Sequence, residues 1–470
     1  MTTTKTRPAN GKTRVTASND TTETIPKKSR RSRSDSKPKE NREIITQEGL
    51  KLAIAQAKLN EALTFVKAAV PTKPLHPVLA NVLLEADQDT QQVKLTTSDM
   101  AISLSASCEA TVQRSGAITL PAEILSAVVS RCPMGLLAID TTQTEENYSA
   151  ILSDEQGGIT EIRGMSSEEF PEVAAVTGSP ASLPAKVVQA GLKGVLFAVS
   201  TDETKRMLTG MEWKLDSSTL HCTATDGHQV AKVVLDTSGI GKKKRKVQTG
   251  AASAYIIPGK ALKELAKTLE KTASETELHV FYDNQAKRVL FAVEENDLSK
   301  QIVCQCLEED YPDCDLLLSR YPFNQIVTIS RSTLLSRLER LAVLADKKVK
   351  TVKFCFDSQQ QTIDLLIERD YGKGKQVLDA AIPETVNGMA IKFNVTYLLN
   401  ILKAMSSSAL KLVMHQFNTP AKVEAAGDVD IPELRMEATY FLFPMVDQDE
   451  MNGQASSKET SEEQTTETDD

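Results

Sequence analysis

Residues 223–234 read TATDGHQVAKVV, with Asp226 and His228 flanking a glycine between two β-branched stretches. A carboxylate beside an imidazole could do general acid–base work, the acid orienting the base. Such a pair also needs a nucleophile or a second carboxylate, and no Ser, Cys or acid stands at a telling spacing from it. His76, His221, His279 and His415 occur singly in unrelated contexts. The seven cysteines contain no C-x-x-C, only Cys304 and Cys306 are near neighbours, and the count is odd. Neither a disulfide framework nor a zinc site is implied. The reading is therefore of no catalytic residue, no metal and no cofactor. The same turn occurs 127 residues earlier without the histidine: LTTSDMAISLSA places Ser98-Asp99 where Thr225-Asp226 stand. A repeated aspartate of this kind bonds nearby backbone amides, and Gly227 supplies backbone freedom at the bend. His228 is left as a packing or binding residue, with an acid–base role for Asp226 and His228 as the competing alternative.

The turn belongs to a larger repeat. Short strand-like leaders that end in a helix-start residue recur: ITLPAEILSAVVSR at 118, ASLPAKVVQAGLKG at 181, YIIPGKALKELAKT at 255, VTISRSTLLSRLER at 327 and IKFNVTYLLNILKA at 391. A weaker sixth is LKLAIAQAKLNEALTFVKAA at 50. Pro121, Pro184 and Pro258 in a first helical turn, or Ser330 and Asn394 as N-caps, start each helix. Between them, runs such as MEWKLDSSTLHCTAT and VKFCFDSQQQTIDLLIE alternate like antiparallel hairpins. EEFPE at 168–172 and EDYPD at 309–313 mark a doubled period. The expected fold is α+β: three repeated domains over 50–175, 176–320 and 321–446, each of two helix-plus-strand modules.

Charge is unevenly placed along the chain. Residues 1–49 hold twelve Lys/Arg against six Asp/Glu and few apolar residues, which reads as a disordered basic arm. Residues 447–470, with nine Asp/Glu against one Lys, read as a disordered acidic tail. The six helix windows sum to about +9, whereas the core as a whole carries about −6. Repeated basic helices suit a polyanion, and their lack of aromatics and of an Arg/Asn/Gln cluster favours duplex backbone over base readout. No apolar run is long enough to span a membrane, and the start lacks a secretory signal's apolar stretch, so a cytoplasmic protein with reduced thiols is expected.

The chain resembles the bacterial DNA polymerase III β subunit family, the sliding clamps, across residues 50–446. The pieces are KPLHPVLANVLLEA at 73–86, LTG at 208–210, TATDGHQVA at 223–231, DYPDCDLLL at 310–318, FNVTYLLNILKAM at 393–405 and YFLFPM at 440–445. The VLANVLLEAD wording is similar to cyanobacterial members. The resemblance implies the DNA-clamp fold, a head-to-tail homodimeric ring around duplex DNA with helices lining the hole, and a non-catalytic processivity role. It implies a cleft between the second and third domains for short, apolar, glutamine-containing peptides of polymerase, clamp-loader and repair subunits. By motif, that cleft takes Leu208, Gly210, Thr225, Gly227, His228, Val230, Leu317, Phe441, Phe443, Pro444 and Met445. DNA contacts fall on Lys73, Lys193, Lys205, Lys263, Lys267 and Arg337, and the dimer seam on Val343, Leu344, Thr160 and Ile162.

Departures from the family pattern bear on function. Gln229 replaces a common Arg after the histidine, Phe443 replaces a common Met, and Lys73 replaces an Arg, losing the planar fork. Thr160 stands where an aromatic is often found, which puts dimer strength in question. These departures and the long tails motivate an alternative, a divergent clamp paralogue serving as a repair or interaction scaffold. GKKKRKV at 241–247 resembles a nuclear import signal, but extra DNA contact or a solvated basic loop accounts for it as well.

Overall fold

The computed structural model describes residues 47–144, 147–173, 175–176, 180–216, 218–237, 254–273, 275–345, 350–369, 372–429 and 436–445. Most of the basic arm, the GKKKRKV loop and the acidic tail lie outside the described residues. The chain runs as leader strand, helix and antiparallel strands, repeated six times. Among the described residues the six long helices are α1 (Gln56–Val66), α2 (Ala122–Val129), α3 (Ala185–Val195), α4 (Gly259–Glu270), α6 (Arg331–Ala342) and α7 (Val395–Ala404); α5 (Cys314–Leu318) is a five-residue addition. Pro121, Pro184 and Pro258 are not inside the first turn, as the sequence suggested, but at the N-cap itself. There the fixed φ of proline ends the leader strand and aims the chain into the helix. Ser330 and Asn394 hold the same position and cap by side chain, Asn394 accepting from Thr396 N at 2.9 Å.

Each helix buries one apolar stripe. In α4, Ala261, Leu262, Leu265 and Leu269 face the core, while Lys260, Lys263 and Lys267 face outward at helical spacing. α3 lies unusually close to the strand Gln229–Asp236: a Cβ on Gly194 would sit 2.8 Å from Val233 Cγ2, and one on Gly191 would sit 2.5 Å from Leu235 Cδ1. Those two glycines therefore fix the depth at which this strand is seated. Trp213, wholly buried, donates from Nε1 to the Tyr282 hydroxyl at 2.9 Å and meets Phe291 edge-on.

The strands of the described residues form sheets of five, eight and twelve. In the eight-stranded sheet, Ile102–Glu109 pairs with Leu298–Gln305, from Ile102↔Cys304 to Cys108↔Leu298. In the twelve-stranded sheet, Gln229–Asp236 pairs with Met436–Leu442, from Gln229↔Leu442 to Leu235↔Met436. Consecutive thirds of the chain are thus joined through main-chain ladders. Several strands keep an open side among the described residues, and two that end their modules are largely unpaired on one side. Ile159–Arg163 pairs only with Asn147–Asp154 among the described residues, and Gly372–Ala381, beyond its hairpin partner, meets only Thr328 and Ile329 through Ala381 and Ala380.

Candidate partner cleft, basic helix faces and open edges

The turn at 225–229 is held by its own aspartate. Asp226 Oδ1 accepts from His228 N at 2.8 Å and Gln229 N at 3.0 Å, while Thr225 Oγ1 accepts from Gly227 N at 3.1 Å. The earlier turn repeats this bond for bond. Asp99 Oδ1 accepts from Ala101 N at 2.9 Å and Ile102 N at 2.8 Å, and Ser98 Oγ accepts from Met100 N at 3.1 Å. Gly227 has φ +91°, and Met100 takes the same left-handed region at φ 74°. The link from Asp226 to His228 runs to the histidine's main chain, so the carboxylate does not orient an imidazole. His228 itself is exposed.

Beside this turn lies a second, small apolar cluster, separate from the main core: Val230, Cys314, Leu318 and Phe441, with Phe323 and Phe443 partly buried against it. Val230 and Phe441 are direct ladder partners, and the Phe323 and Phe441 rings lie 5.6 Å apart. The last strand runs on past its end, with Phe443 N donating to His228 O at 3.0 Å and Met445 N donating to Lys392 O at 2.8 Å. Phe443 is thereby held against the cluster, and Pro444 and Met445 follow it, half-buried and exposed. Apolar side chains fixed at the surface by main-chain bonds are the kind of feature against which a short apolar peptide can seat.

The motif residues are not all alike here. Leu208 is nearly buried on the 3-10 turn Arg206–Thr209, and Thr225 is buried with its hydroxyl donating to Gln229 O at 2.7 Å. Gly210 faces a packed strand, where a Cβ would press on Ile256 Cγ2 at 2.7 Å. Leu317 is 40% exposed, and it is Leu318 that enters the cluster. Gln229 is buried, donating from Nε2 to Asp226 Oδ2 at 3.0 Å. Burial pushes the Cys314 thiol up to about 11, so it is a packing group and not a thiolate nucleophile. Cys314, Leu318, Phe323 and Tyr311, whose hydroxyl accepts from Thr225 N at 3.0 Å, were not singled out from sequence. α5 is too short to show periodicity, and a lone Phe in RYPFNQ carries no pattern.

On the helices, Lys193 and Lys263 are exposed and have no ion-pair partner among the described residues. Lys267 is paired with Glu264 at 2.7 Å, and Arg337 donates to Gln376 Oε1 at 3.3 Å. Lys205 reaches over the turn instead, its Nζ 3.8 Å from where a Gly227 Cβ would be. Lys73 is exposed in a loop before Pro77. Lys58, Lys67 and Lys403 are paired with Asp297, Glu123 and Glu339. Part of the helices' formal charge is therefore met locally.

At the open edges, Thr160 lines a groove of about 730 Å³ together with Ile124, Val128, Arg131 and Cys132 of α2 and its end. Ile162 points inward and is buried. Val343 is 83% exposed, whereas Leu344 packs on its own sheet, 2.7 Å from a Cβ placed on Gly374. Among the described residues, no group of three or more His, Cys, Asp or Glu could hold a metal ion, and no helix is long and apolar enough to cross a membrane.

Comparison with known proteins accords with this architecture. Descriptions of the DNA polymerase III beta subunit match in three parts: the N-terminal domain at residues 50–174, the central domain at 182–313 and the C-terminal domain at 321–439. The beta sliding clamps of Synechocystis sp. and Synechococcus elongatus are each 35% identical, covering 84% of this chain and 99% of theirs. The DNA polymerase III subunit beta of Pseudomonas aeruginosa superposes with a TM-score of 0.71 at 22% identity, over 84% of this chain and 100% of that one. The Bacillus subtilis sliding clamp gives 0.72 at 21%, over 85% and 100%. The chain belongs to the DNA polymerase III β subunit family, the β sliding clamps.

Proposed function

We infer that this protein is a non-catalytic processivity factor whose two copies close head to tail into a ring around duplex DNA. The observation that carries the reading is the pair of open edges. Within one chain, each third is joined to the next through the last strand of a module, Ile102–Glu109 to Leu298–Gln305 and Gln229–Asp236 to Met436–Leu442. Ile159–Arg163 and Gly372–Ala381 hold the corresponding places in their modules and, among the described residues, have no such ladder to another third of the chain. A second copy supplies it twice over, closing the ring through these two module-ending strands. Domains over 50–175, 176–320 and 321–446 then give six per ring.

Lys193, Lys263, Lys267 and Arg337, with Lys73 from its loop, face the phosphates without reading bases, which permits sliding. The apolar groove around Val230, Phe441, Phe443, Pro444 and Met445, edged by His228, receives short peptides of polymerase and clamp-loader subunits. Such a protein works in the bacterial cytoplasm. The test is retention on a nicked circular plasmid after incubation with clamp loader and ATP. Protein that survives moderate salt on the circle and leaves on linearisation is topologically linked. Equal salt sensitivity on both forms overturns the ring reading in favour of a charge-bound interaction scaffold.

A further inference from the structure

The six long helices carry only five carboxylates: Glu61 on α1, Glu123 on α2, Glu264 and Glu270 on α4, and Glu339 on α6. Four of the five meet a lysine. Glu61 accepts from Lys300 Nζ at 2.7 Å, and that lysine is only 8% exposed, so this pair is an internal tie between the first and second domains. The other three pairs are placed differently. Glu123 meets Lys67, in the 3-10 turn Lys67–Ala69 that continues α1, at 2.6 Å; Glu264 meets Lys267 one turn along α4 at 2.7 Å; Glu339 meets Lys403 of α7 at 3.1 Å. Each domain thus keeps one such pair on its own helices, and the three lysines are 37–67% exposed, within reach of an approaching polyanion.

An exposed ion pair adds little to folding stability, because solvent screens it and two side chains must be held in one geometry. Its larger effect is on the charge that the helix offers outward. An ammonium held against a carboxylate presents almost no net charge, and a phosphate that takes the lysine is repelled by the carboxylate left behind. We propose that Glu123, Glu264 and Glu339 are positioning residues for sliding, each holding a lysine off the phosphates so that the ring keeps few strong backbone contacts at any moment. The proposal rests on the reading of these helices as the DNA-facing surface. Lys193 and Lys263, without acidic partners among the described residues, are then the contacts that remain. A closed ring is retained by its topology, so it does not need affinity to stay on the duplex. Each added phosphate contact, by contrast, displaces counterions that must return before the protein moves on. Restraining part of the charge therefore favours movement with no loss of attachment.

The test uses the full-length protein in two measurements: duplex-binding titrations over a salt series, and single-molecule tracking of rings loaded by clamp loader and ATP on a linear duplex blocked at both ends. Glu123→Gln keeps the side chain's size and removes its charge. It is expected to steepen the slope of log affinity against log salt by about 0.9, and the triple change with Glu264→Gln and Glu339→Gln by about 2 to 3. Diffusion of the triple variant should slow by at least about threefold, with the melting temperature unchanged. Glu270→Gln makes the same change of charge but frees no lysine, since Glu270 has no ion-pair partner among the described residues; slope and diffusion should stay as in wild type. In a Lys67→Ala background the effect of Glu123→Gln should vanish. The proposal is refuted if Glu123→Gln does no more than Glu270→Gln, or if its effect persists without Lys67. It is equally refuted if the melting temperature falls while the slope does not move, because the pairs then only dock helices. Wild-type protein that leaves blocked and open duplexes at the same rate overturns the ring instead, and the slopes still report on the pairs.

Discussion

A carboxylate that accepts two backbone N–H groups stabilises a bend by charge-assisted hydrogen bonds, whatever residue follows it. Asp226 does this beside a histidine and Asp99 does it beside Ala101, so the acid's task is common to both sites and the imidazole belongs to one. Replacing Asp226 with Ala strands two amides and should lower unfolding stability by about 1.5–3 kcal/mol in denaturant titration. His228→Ala touches an exposed side chain; its stability should stay within about 0.5 kcal/mol of wild type while peptide affinity falls. A hydrolytic or transfer activity abolished by that change would instead restore the acid–base interpretation. Titration at high pH gives a second check. Burial pushes the thiols of Cys108 and Cys314 to about 11 and that of Cys306 to about 12. Groups raised in the folded state add stability that is intact below the unfolded thiol range and is lost as pH climbs through the folded values. The melting temperature should therefore decline between about pH 9 and 11, and less so when Cys314 is replaced by Ala.

Among the elements, the helices were the most legible in sequence, because a proline, serine or asparagine closes every leader but that of α1, which ends at Ala55, and an apolar stripe at helical spacing follows. The register of those caps was misjudged by one residue, since proline's fixed φ serves the end of the strand as well as the start of a helix. The sheet joins were not legible at all: nothing local in Gln229–Asp236 distinguishes a partner in its own domain from Met436–Leu442, about two hundred residues away. The proposed cleft comes from motif resemblance, and Cys314, Leu318 and Phe323 of the apolar cluster beside it were missed because α5 spans little more than one turn. Helix charge was read as a sum, but its local neutralisation needed coordinates. Lys193 on α3 and Lys263 on α4 lack acidic partners among the described residues, and Lys267 leans on Glu264. Replacing Lys193 or Lys263 with Ala should reduce the slope of log affinity against log salt by about 1 in duplex-binding titrations. Lys267→Ala should reduce it by less, and equal effects at all three sites would count against a partly neutralised lining.

For the whole molecule, the join made between two copies differs from the two made within one chain. The internal joins are covalently tethered, and the first also carries Lys58–Asp297 and Lys300–Glu61 pairs across it. The proposed intermolecular join would have only what its surfaces supply: an open strand at each side, Val343 projecting from the end of α6, and the groove between α2 and Thr160. A groove left empty forfeits the dispersion contacts and apolar burial that an aromatic would provide there. Thr160→Phe should fill it, since Thr160 lines the groove together with Val128 and Cys132. Burying about 80 Å² more apolar area contributes about 2 kcal/mol at each seam, and a closed ring has two seams. The dissociation constant of the dimer, measured by sedimentation over a dilution series, should fall by at least about a hundredfold with little dependence on salt. The same substitution should slow spontaneous loss from nicked circles while leaving peptide affinity unchanged, because the cleft lies at another join. If the dimer is not tightened, the groove is not part of the seam, and closure must rely on the strand ladder of Ile159–Arg163 with Gly372–Ala381 alone.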